Sequence, residues 1–393
     1  MQTSLGHSRL LARPGERRLH LIDPTGALLL DLYREGWTPE TLADLLAERF
    51  GLTSASAHAY VEAQMQRWQD AGLLDAIAET KGTWPLDSAD DPLWPAPRPR
   101  PLTPGTWALR VADRRLGLRV SDPDLRATLR DWLAPAANLH EIDHDLVLAG
   151  PPAVWRLTLD GIDLERGAGR DTALVATLST LTELGCRPAE RLLVIHGAGL
   201  VAPDGRGLLL VAPGGSGKST LTAALDAQGF GLLSDDVVPG TLDGDLLGHG
   251  LPLCLKAGSW PVLTRHRPEL AQVPSVARCG QQVRFLAGTG GPARGPVRAA
   301  CCLFPRYDPG HPGAVERLSP EQTLQGIIAA EAVVRDLTQT KLEALARWVS
   351  DLPAYAIRYP DLDRGLALVA DLLAIRPDRT LALDPASAPD PDP

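Results

Sequence analysis

The chain has 393 residues, of which 44% are hydrophobic and 22% are charged, and its formal net charge is −9. This length is enough for two domains or three small ones with buried cores, and the composition is ordinary for a soluble globular protein. The negative charge argues against a nucleic-acid binder, because such proteins gain affinity by neutralising phosphates.

Neither a disulfide framework nor a membrane span is predicted. The five cysteines are odd in number and show no CxxC spacing, so we expect buried, reduced side chains. No apolar run approaches the length of a membrane span, and Met1–Pro14 lacks the apolar core of a signal peptide. We therefore expect a cytoplasmic protein without a membrane partner.

The first predicted domain covers residues 1–77. Residues 1–20 indicate two weak strands at most, and three segments with helical spacing follow. The first ends at Gly36; the second has Thr38 as N-cap, Pro39 at its first position and Gly51 after its end. Three short helices with weak flanking strands predict a small winged-helix-like unit.

This unit resembles the PqqD family. The similarity is carried by Leu30–Tyr33, Trp37–Ala43, Ala47–Gly51 and Asp70–Leu74. The resemblance implies a peptide-binding domain that takes up the leader of a ribosomally made precursor peptide as an added strand at a sheet edge. The alternative is a helical domain that only dimerises, giving a homo-oligomer, or covers the core of the next domain.

The next segment, residues 78–105, is rich in proline and acid and predicts an extended linker, with Trp84 and Trp94 as possible anchors. Residues 106–375 predict the second domain, which begins with alternating strands and a hairpin at Asp160-Gly161. Helices are expected to fill most of residues 320–375. The tail, residues 376–393, is proline-rich and acidic and is expected to be disordered.

The stretch Gly207–Val238 carries the strongest motif. An apolar strand leads into a glycine-rich loop, and a helical pattern follows, which is the context that a phosphate-binding P-loop requires. Its backbone amides and the positive end of the helix can hold phosphate oxygens. Ala212 stands where the motif usually has its first glycine. The predicted nucleotide-binding residues are Gly214, Gly215, Ser216, Gly217, Lys218, Ser219 and Thr220.

Two adjacent acids, Asp235 and Asp236, follow the P-loop after one helix and one strand. Phosphoryl transfer needs a metal at the β- and γ-phosphates and a group that accepts the proton of the incoming hydroxyl. A carboxylate pair can supply both. His196, at the end of the strand before the P-loop, is a candidate third member or an ordinary packed histidine.

This order of motifs resembles HPr kinase/phosphorylase and its HprK-related kinases. The matching segments are Ile195–Gly197, Gly207–Leu210, Gly214–Ser219, Gly229, Leu233–Val237, Leu251–Trp260 and Phe304–Tyr307. The resemblance implies an α/β P-loop kinase domain of the HPr kinase and phosphoenolpyruvate-carboxykinase-like type, using ATP and Mg²⁺ on a serine hydroxyl.

By position, the resemblance implies that Asp235 is the base, that Asp236 and Ser219 bind the metal, and that Lys218 holds the phosphates. The downstream loop linked to the reverse phosphorolysis reaction has no clear counterpart here, so HPr as substrate does not follow. Lys256 and Arg284 are candidate phosphate or substrate contacts, with Arg306 a weaker one, and each is equally explained as a surface or ion-pair residue.

Three functions remain open from the sequence. The first is an ATP-dependent serine kinase acting on a precursor peptide bound by the front domain. The second is a kinase of a small metabolite or a protein, with a structural front domain. The third is a nucleotide-gated peptide chaperone without kinase chemistry.

Overall fold

The computed structural model describes residues 1–12, 19–71, 73–74, 95–133, 136, 139–188, 190–290, 295–334 and 336–374. Trp84, Trp94 and the predicted tail, residues 376–393, lie outside these described residues. Within them, no helix combines the length and the apolar character needed to cross a bilayer.

The N-terminal part folds as a three-stranded antiparallel sheet with three helices, one strand more than the sequence predicted. Its elements are β1 (Gln2–Leu5), β2 (Ser8–Ala12), β3 (Leu19–Ile22), α1 (Pro24–Arg34), α2 (Pro39–Phe50) and α3 (Ser54–Asp70). The predicted caps of α2 are present: the Thr38 side chain accepts from the Thr41 amide, and Gly51 is left-handed with φ 64°.

The N-terminal sheet is buried on both faces. Along β2, Leu11 packs with the helices α1–α3, whereas Leu10 and Ala12 point the other way into a core of the second domain. Leu5 of β1 belongs to that same core, and Leu5 and Leu10 are fully buried. Because side chains alternate along a strand, one sheet serves two hydrophobic cores.

A five-stranded sheet opens the second domain. Its elements, with a short strand pair, are β4 (Arg100–Pro101), β5 (Trp107–Val111), β6 (Arg114–Val120), α4 (Pro123–Trp132), β7 (Glu141–Ile142), β8 (His144–Ala149), β9 (Trp155–Leu159), β10 (Ile162–Gly167) and α5 (Arg170–Cys186). The strand order is β10-β9-β8-β6-β5, and β4 pairs with β7. The end of the predicted linker is therefore paired with a strand of the predicted second domain.

A nine-stranded sheet with surrounding helices follows. Its first half contains β11 (Leu193–Ile195), β12 (Gly197–Val201), β13 (Gly207–Val211), α6 (Lys218–Ala227), β14 (Gly231–Ser234), β15 (Val238–Gly240) and β16 (Asp245–Leu246). A separate three-stranded sheet, in the order β17-β19-β18, consists of β17 (Leu253–Lys256), β18 (Val276–Arg278) and β19 (Gln281–Leu286). Between β17 and β18 lie helix α7 (Trp260–Leu263) and two 3₁₀ turns, Ala257–Ser259 and Pro268–Gln272.

The last elements return to the large sheet. They are β20 (Val297–Tyr307), β21 (Ala314–Arg317), α8 (Pro320–Ala329), α9 (Gln339–Asp351), β22 (Ala354–Tyr359) and α10 (Leu362–Ala374). The sequence predicted helices through this region and missed β22, which pairs in parallel with β20. It has six residues and lies between α9 and α10, and a short strand between two helices is easily overlooked.

Strand β13 lies at the centre of the sheet and is buried on both faces. Leu208 and Leu210 pack with α6 and α10, while Leu209 and Val211 pack with α8, α9 and the β1–β2 hairpin. A central strand covered on both sides reads as a continuous apolar run, as this one does. The rigid strand fixes the position of the loop that follows it.

Candidate nucleotide and phosphoacceptor site

One edge of the large sheet collects the polar residues predicted for the site. Strand β12 pairs antiparallel with both β13 and β14, so β13 and β14 point the same way and end at the same edge. The glycine-rich loop of residues 212–217, the predicted P-loop and called the P-loop below, leaves the end of β13. Asp235 follows β14, and His196 immediately precedes β12. The topology therefore brings together three segments that are separate in the sequence.

The P-loop is open towards solvent. Gly215 and Gly217 have φ values of 83° and 91°, which side-chain-bearing residues rarely adopt. No heavy atom lies within 4 Å of a Cβ built on Gly214. The first turn of α6 has no side-chain cap, so its amides and its positive dipole end are free for an anion.

Lys218, the first residue of α6, is buried, with 6% of its surface exposed. Burial lowers its pKa, and the negative charges of Asp235 and Asp236 act against that shift. The positive charge of Lys256 lowers the same pKa further. A buried ammonium group facing two carboxylates is suited to phosphate oxygens, which replace water as its partners.

Ser219 and Asp235 are joined by a hydrogen bond: the Ser219 hydroxyl donates to Asp235 Oδ1 at 3.1 Å. The other carboxylate oxygen, Oδ2, accepts from the backbone amide of Cys254 at 3.0 Å. Burial raises the pKa of Asp235, the Cys254 amide lowers it, and the neighbouring Asp236 charge raises it again. Both oxygens of Asp235 are thus held in place, one of them by the P-loop.

Asp236 has a different environment. Its φ of 83° places it in the left-handed region, a conformation that stores strain in a residue other than glycine. Its Oδ1 lies 3.3 Å from His196 Nε2, and its Oδ2 accepts from Arg278 Nη2 at 3.1 Å. The Asp236 side chain is 41% exposed. Glu331 approaches the other ring nitrogen of His196 at 4.0 Å.

Sequence reasoning missed Arg278, Cys254 and Glu331. Arg278 donates to Asp236 and, through Nη1, to Cys254 Sγ at 3.1 Å. Cys254 lies in the matching segment Leu251–Trp260 but was not singled out, and Arg278 and Glu331 lie outside every matching segment. The folding of β17–β19 against the acids brings Arg278 and Cys254 there. No local signal in the sequence singled out Arg278 or Glu331.

Arg284, a predicted phosphate or substrate contact, is engaged elsewhere. Its guanidinium lies 4.1 Å from the ring centroid of Trp260, and its Nη1 donates to the Leu270 carbonyl at 2.9 Å. Lys256 is exposed, and its charge reaches Lys218. Arg306 is exposed near the end of β20. Of these three cations, Lys256 keeps an electrostatic connection with the site.

A buried histidine, His249, contacts the end of β14, the strand that precedes the two acids. His249 Nδ1 lies 3.0 Å from the Ser234 hydroxyl, and its Nε2 lies 3.5 Å from Cys186 Sγ. Burial lowers the pKa of His249 to about 4. A neutral imidazole thus links β14, one residue before Asp235, to the end of α5. Cys186 is buried as predicted for the cysteines, whereas Cys279 is exposed.

A small cavity of about 40 Å³ opens onto both acids. Helix α5 forms one wall, and the loop before β17, with β18 and β19, forms the other. Its lining residues are Val175, Leu178, Ser179, Thr182, Asp235, Asp236, Leu251, Pro252, Cys254, Arg278 and Phe285. A water needs about 10–15 Å³ by this measure, so the space suits the tip of a small side chain.

The residues next to the P-loop fit magnesium better than a transition metal. Among the described residues there is no group of three or more His, Cys, Asp or Glu that could hold a metal ion by themselves. Mg²⁺ prefers oxygen ligands and is usually bound by one or two carboxylates with substrate phosphates and water. The Ser219 hydroxyl and the Asp235 carboxylate offer such oxygens.

A known protein family matches the N-terminal part of the chain. Residues 10–74 match the family model of coenzyme PQQ synthesis protein D (PqqD). This match confirms the resemblance seen in the sequence, and it covers the end of β2, together with β3 and α1–α3. A search of curated proteins gave no match.

Among solved structures, the chain is similar to the Hpr(Ser) kinase/phosphatase from Coxiella burnetii. The identity is 15%, the TM-score is 0.22, and the match covers 46% of this chain and 97% of that chain. The predicted α/β fold class is confirmed by the strands and helices described above.

Proposed function

We propose that the chain is an ATP- and Mg²⁺-dependent kinase that phosphorylates a serine hydroxyl on a precursor peptide, which the N-terminal domain recruits. The observation that carries this proposal is the hydrogen bond between Ser219 and Asp235. It joins a phosphate-binding loop to an acid pair, and this combination suits phosphoryl transfer.

The P-loop amides and Lys218 would bind the β- and γ-phosphates and stabilise the negative charge that spreads over the transferred group. Ser219 and Asp235 would hold Mg²⁺. Mg²⁺ held there would supply positive charge against the negative charge that develops on the phosphates. Because the Ser219 hydroxyl already lies 3.1 Å from Asp235 Oδ1, these two oxygens are placed to share one metal ion, which suits Asp235 to the metal rather than to the substrate proton.

Asp236 is the better candidate for the base. It is more exposed, and His196 and Arg278 orient its two oxygens. It would accept the serine proton as the serine oxygen attacks the γ-phosphorus and the bond to the β–γ bridging oxygen breaks, releasing ADP. This assignment reverses the roles of Asp235 and Asp236 that the family resemblance implied.

The cavity beside the acids supports an acceptor of small size. Leu178 and Phe285 line it, and Asp236 forms part of its polar end. A serine side chain entering this space would bring its hydroxyl to the acids. The small volume also disfavours a large metabolite held entirely inside.

The N-terminal domain offers a place for the leader of the peptide. Among the described residues, β3 pairs with β2 alone, so its other edge has no strand partner. An extended peptide can add to such an edge through main-chain hydrogen bonds. Binding there would raise the effective concentration of a linked serine at the cavity.

The first experiment separates the roles of the two acids. Phosphate transfer from ATP to precursor peptides encoded next to the gene is measured by mass spectrometry with varied Mg²⁺. Asp236→Asn should lower kcat by about 10²–10⁴-fold and leave the Mg²⁺ concentration that gives the half-maximal rate unchanged. Asp235→Asn should raise that Mg²⁺ concentration. The opposite pattern would restore the roles implied by the family resemblance.

The second experiment tests recruitment. A full-length precursor should be phosphorylated with a higher kcat/KM than the same peptide without its leader, and free leader should compete. Equal values would favour a kinase with a structural front domain. Peptide binding without phosphate transfer, unchanged in Asp236→Asn, would favour a chaperone. Deleting residues 1–77 is unsuitable, because it would expose the core that Leu5 and Leu10 fill.

A further inference from the structure

Two tyrosines lie at the carboxyl ends of strands in the large sheet, on the opposite side of the P-loop from the acids. Tyr307 ends β20 and Tyr359 ends β22, and both strands run parallel to β13. In the sheet, β20 and β22 lie on one side of β13, and β12 and β14 lie on the other. The P-loop is therefore between the tyrosines and the acid pair.

Both tyrosines contact the P-loop. The Tyr307 amide donates to the Ser216 carbonyl at 3.2 Å. A Cβ built on Gly217 would lie 3.5 Å from the Cβ of Tyr307 and 3.1 Å from the hydroxyl oxygen of Tyr359. The two rings are 6.3 Å apart, tilted by 55°.

The exposure of the two side chains is unusual in opposite ways. Tyr307 is 54% exposed although it is a large aromatic residue held by a backbone hydrogen bond. Tyr359 is only 2% exposed, yet its hydroxyl has no hydrogen-bond partner in the described part of the chain. An unpartnered buried hydroxyl costs about 1–3 kcal/mol, so a ligand that supplies a partner would be favoured.

The position of the acids sets the direction of a bound nucleotide. Its γ-phosphate must face Asp235 and Asp236 for transfer, so the chain of phosphates runs away from β14 across the P-loop. The nucleoside then leaves on the side of β20 and β22. An exposed ring at that place has the geometry of a stacking surface for a base.

We propose that the Tyr307 ring stacks on the nucleobase and that the Tyr359 hydroxyl donates to the ribose or to the α-phosphate beside Gly217. This inference rests on the proposed nucleotide-dependent function and adds how the base is bound. Base recognition would let the site prefer a nucleoside triphosphate over a bare triphosphate chain.

Calorimetric titration with ATP and with inorganic tripolyphosphate, both with Mg²⁺, tests this inference. The wild type should bind ATP more tightly. Tyr307→Ala should weaken ATP binding by about 5- to 150-fold and leave tripolyphosphate binding within about twofold. Tyr307→Phe should retain ATP binding, and Tyr359→Phe, which removes the donating hydroxyl, should weaken it. Trp37→Ala, which removes a 41% exposed ring in the N-terminal domain, is the matched control.

The outcomes separate this inference from the kinase proposal. If the wild type binds neither ligand, the nucleotide site itself is wrong. If the wild type binds both equally, or Tyr307→Ala binds ATP normally, the stacking surface is wrong and the kinase proposal stands. If Tyr307→Ala loses both ligands equally, Tyr307 only supports the P-loop, which also overturns the inference.

Discussion

The two ends of the candidate site are built differently. The phosphate end is one continuous stretch, from β13 through the P-loop into α6. The acid end is assembled from separate stretches that contribute His196, Asp235 with Asp236, Cys254 and Arg278. A backbone cradle needs only local geometry, whereas orienting two carboxylates requires partners from several directions.

The largest effect is expected at the phosphate end. Lys218→Ala removes the buried ammonium group that faces both acids and should lower phosphate transfer by at least about 10²–10³-fold. Steady-state kinetics with labelled ATP measures this loss. Lys256→Ala, which removes an exposed charge, should lose about tenfold or less; equal losses would mean that Lys218 has no special role.

The next effect tests whether the acid end depends on its distant partners. Arg278→Ala frees Asp236 Oδ2 and should lower kcat by about 10- to 100-fold, with little change in the KM for ATP. The matched change is Arg284→Ala on the neighbouring strand. It breaks the stack on Trp260, so it should lower the free energy of unfolding by about 1 kcal/mol and leave kcat nearly unchanged. Reversed results would exclude the role given to Arg278.

A smaller effect concerns the pH dependence of stability and depends on His249, which contacts the end of β14 next to Asp235. The pKa of His249 is lowered to about 4 in the folded protein, below its unfolded value of about 6.5. Between pH 4 and 6.5 the unfolded state therefore binds more protons than the folded state. The contribution of His249 to the free energy of unfolding is fully present above about pH 6.5 and is lost as the pH falls towards 4.

Chemical denaturation at several pH values checks this expectation. Between pH 7.5 and 5.5, His249 should account for about 1 kcal/mol of lost stability. In His249→Gln the stability should fall less steeply over that range, whatever its value at neutral pH. Parallel curves for the two proteins would show that His249 does not titrate in this way.

The smallest effect compares two glycines of the P-loop. Gly214→Ala adds a Cβ with no heavy atom within 4 Å, so stability should change by no more than about 0.5 kcal/mol. Gly217→Ala needs a φ of 91° and meets the Tyr359 hydroxyl at 3.1 Å, so it should cost about 1 kcal/mol. Thermal unfolding measures both, and equal losses would contradict the loop geometry described here.

Much of this protein could be predicted from its sequence because the signals are local. The helix caps at Thr38 and Gly51 and the strand–loop–helix around Lys218 depend on neighbouring residues, and the resemblance to PqqD depends on four short segments of residues 10–74. The closeness of the acids to the P-loop was also predicted, since one helix and one strand separate them, but the resemblance grouped Ser219 with Asp236, whereas Ser219 is hydrogen-bonded to Asp235.

Tertiary structure decided the rest. Arg278 and Cys254 reach the acids only because the β17–β19 sheet folds against them, Arg284 is turned to Trp260, and β22 brings Tyr359 to the P-loop. The N-terminal sheet likewise shares its two faces between two cores. These contacts join residues far apart in the chain, and their partners are chosen by packing and strand order, which no local pattern of residues encodes.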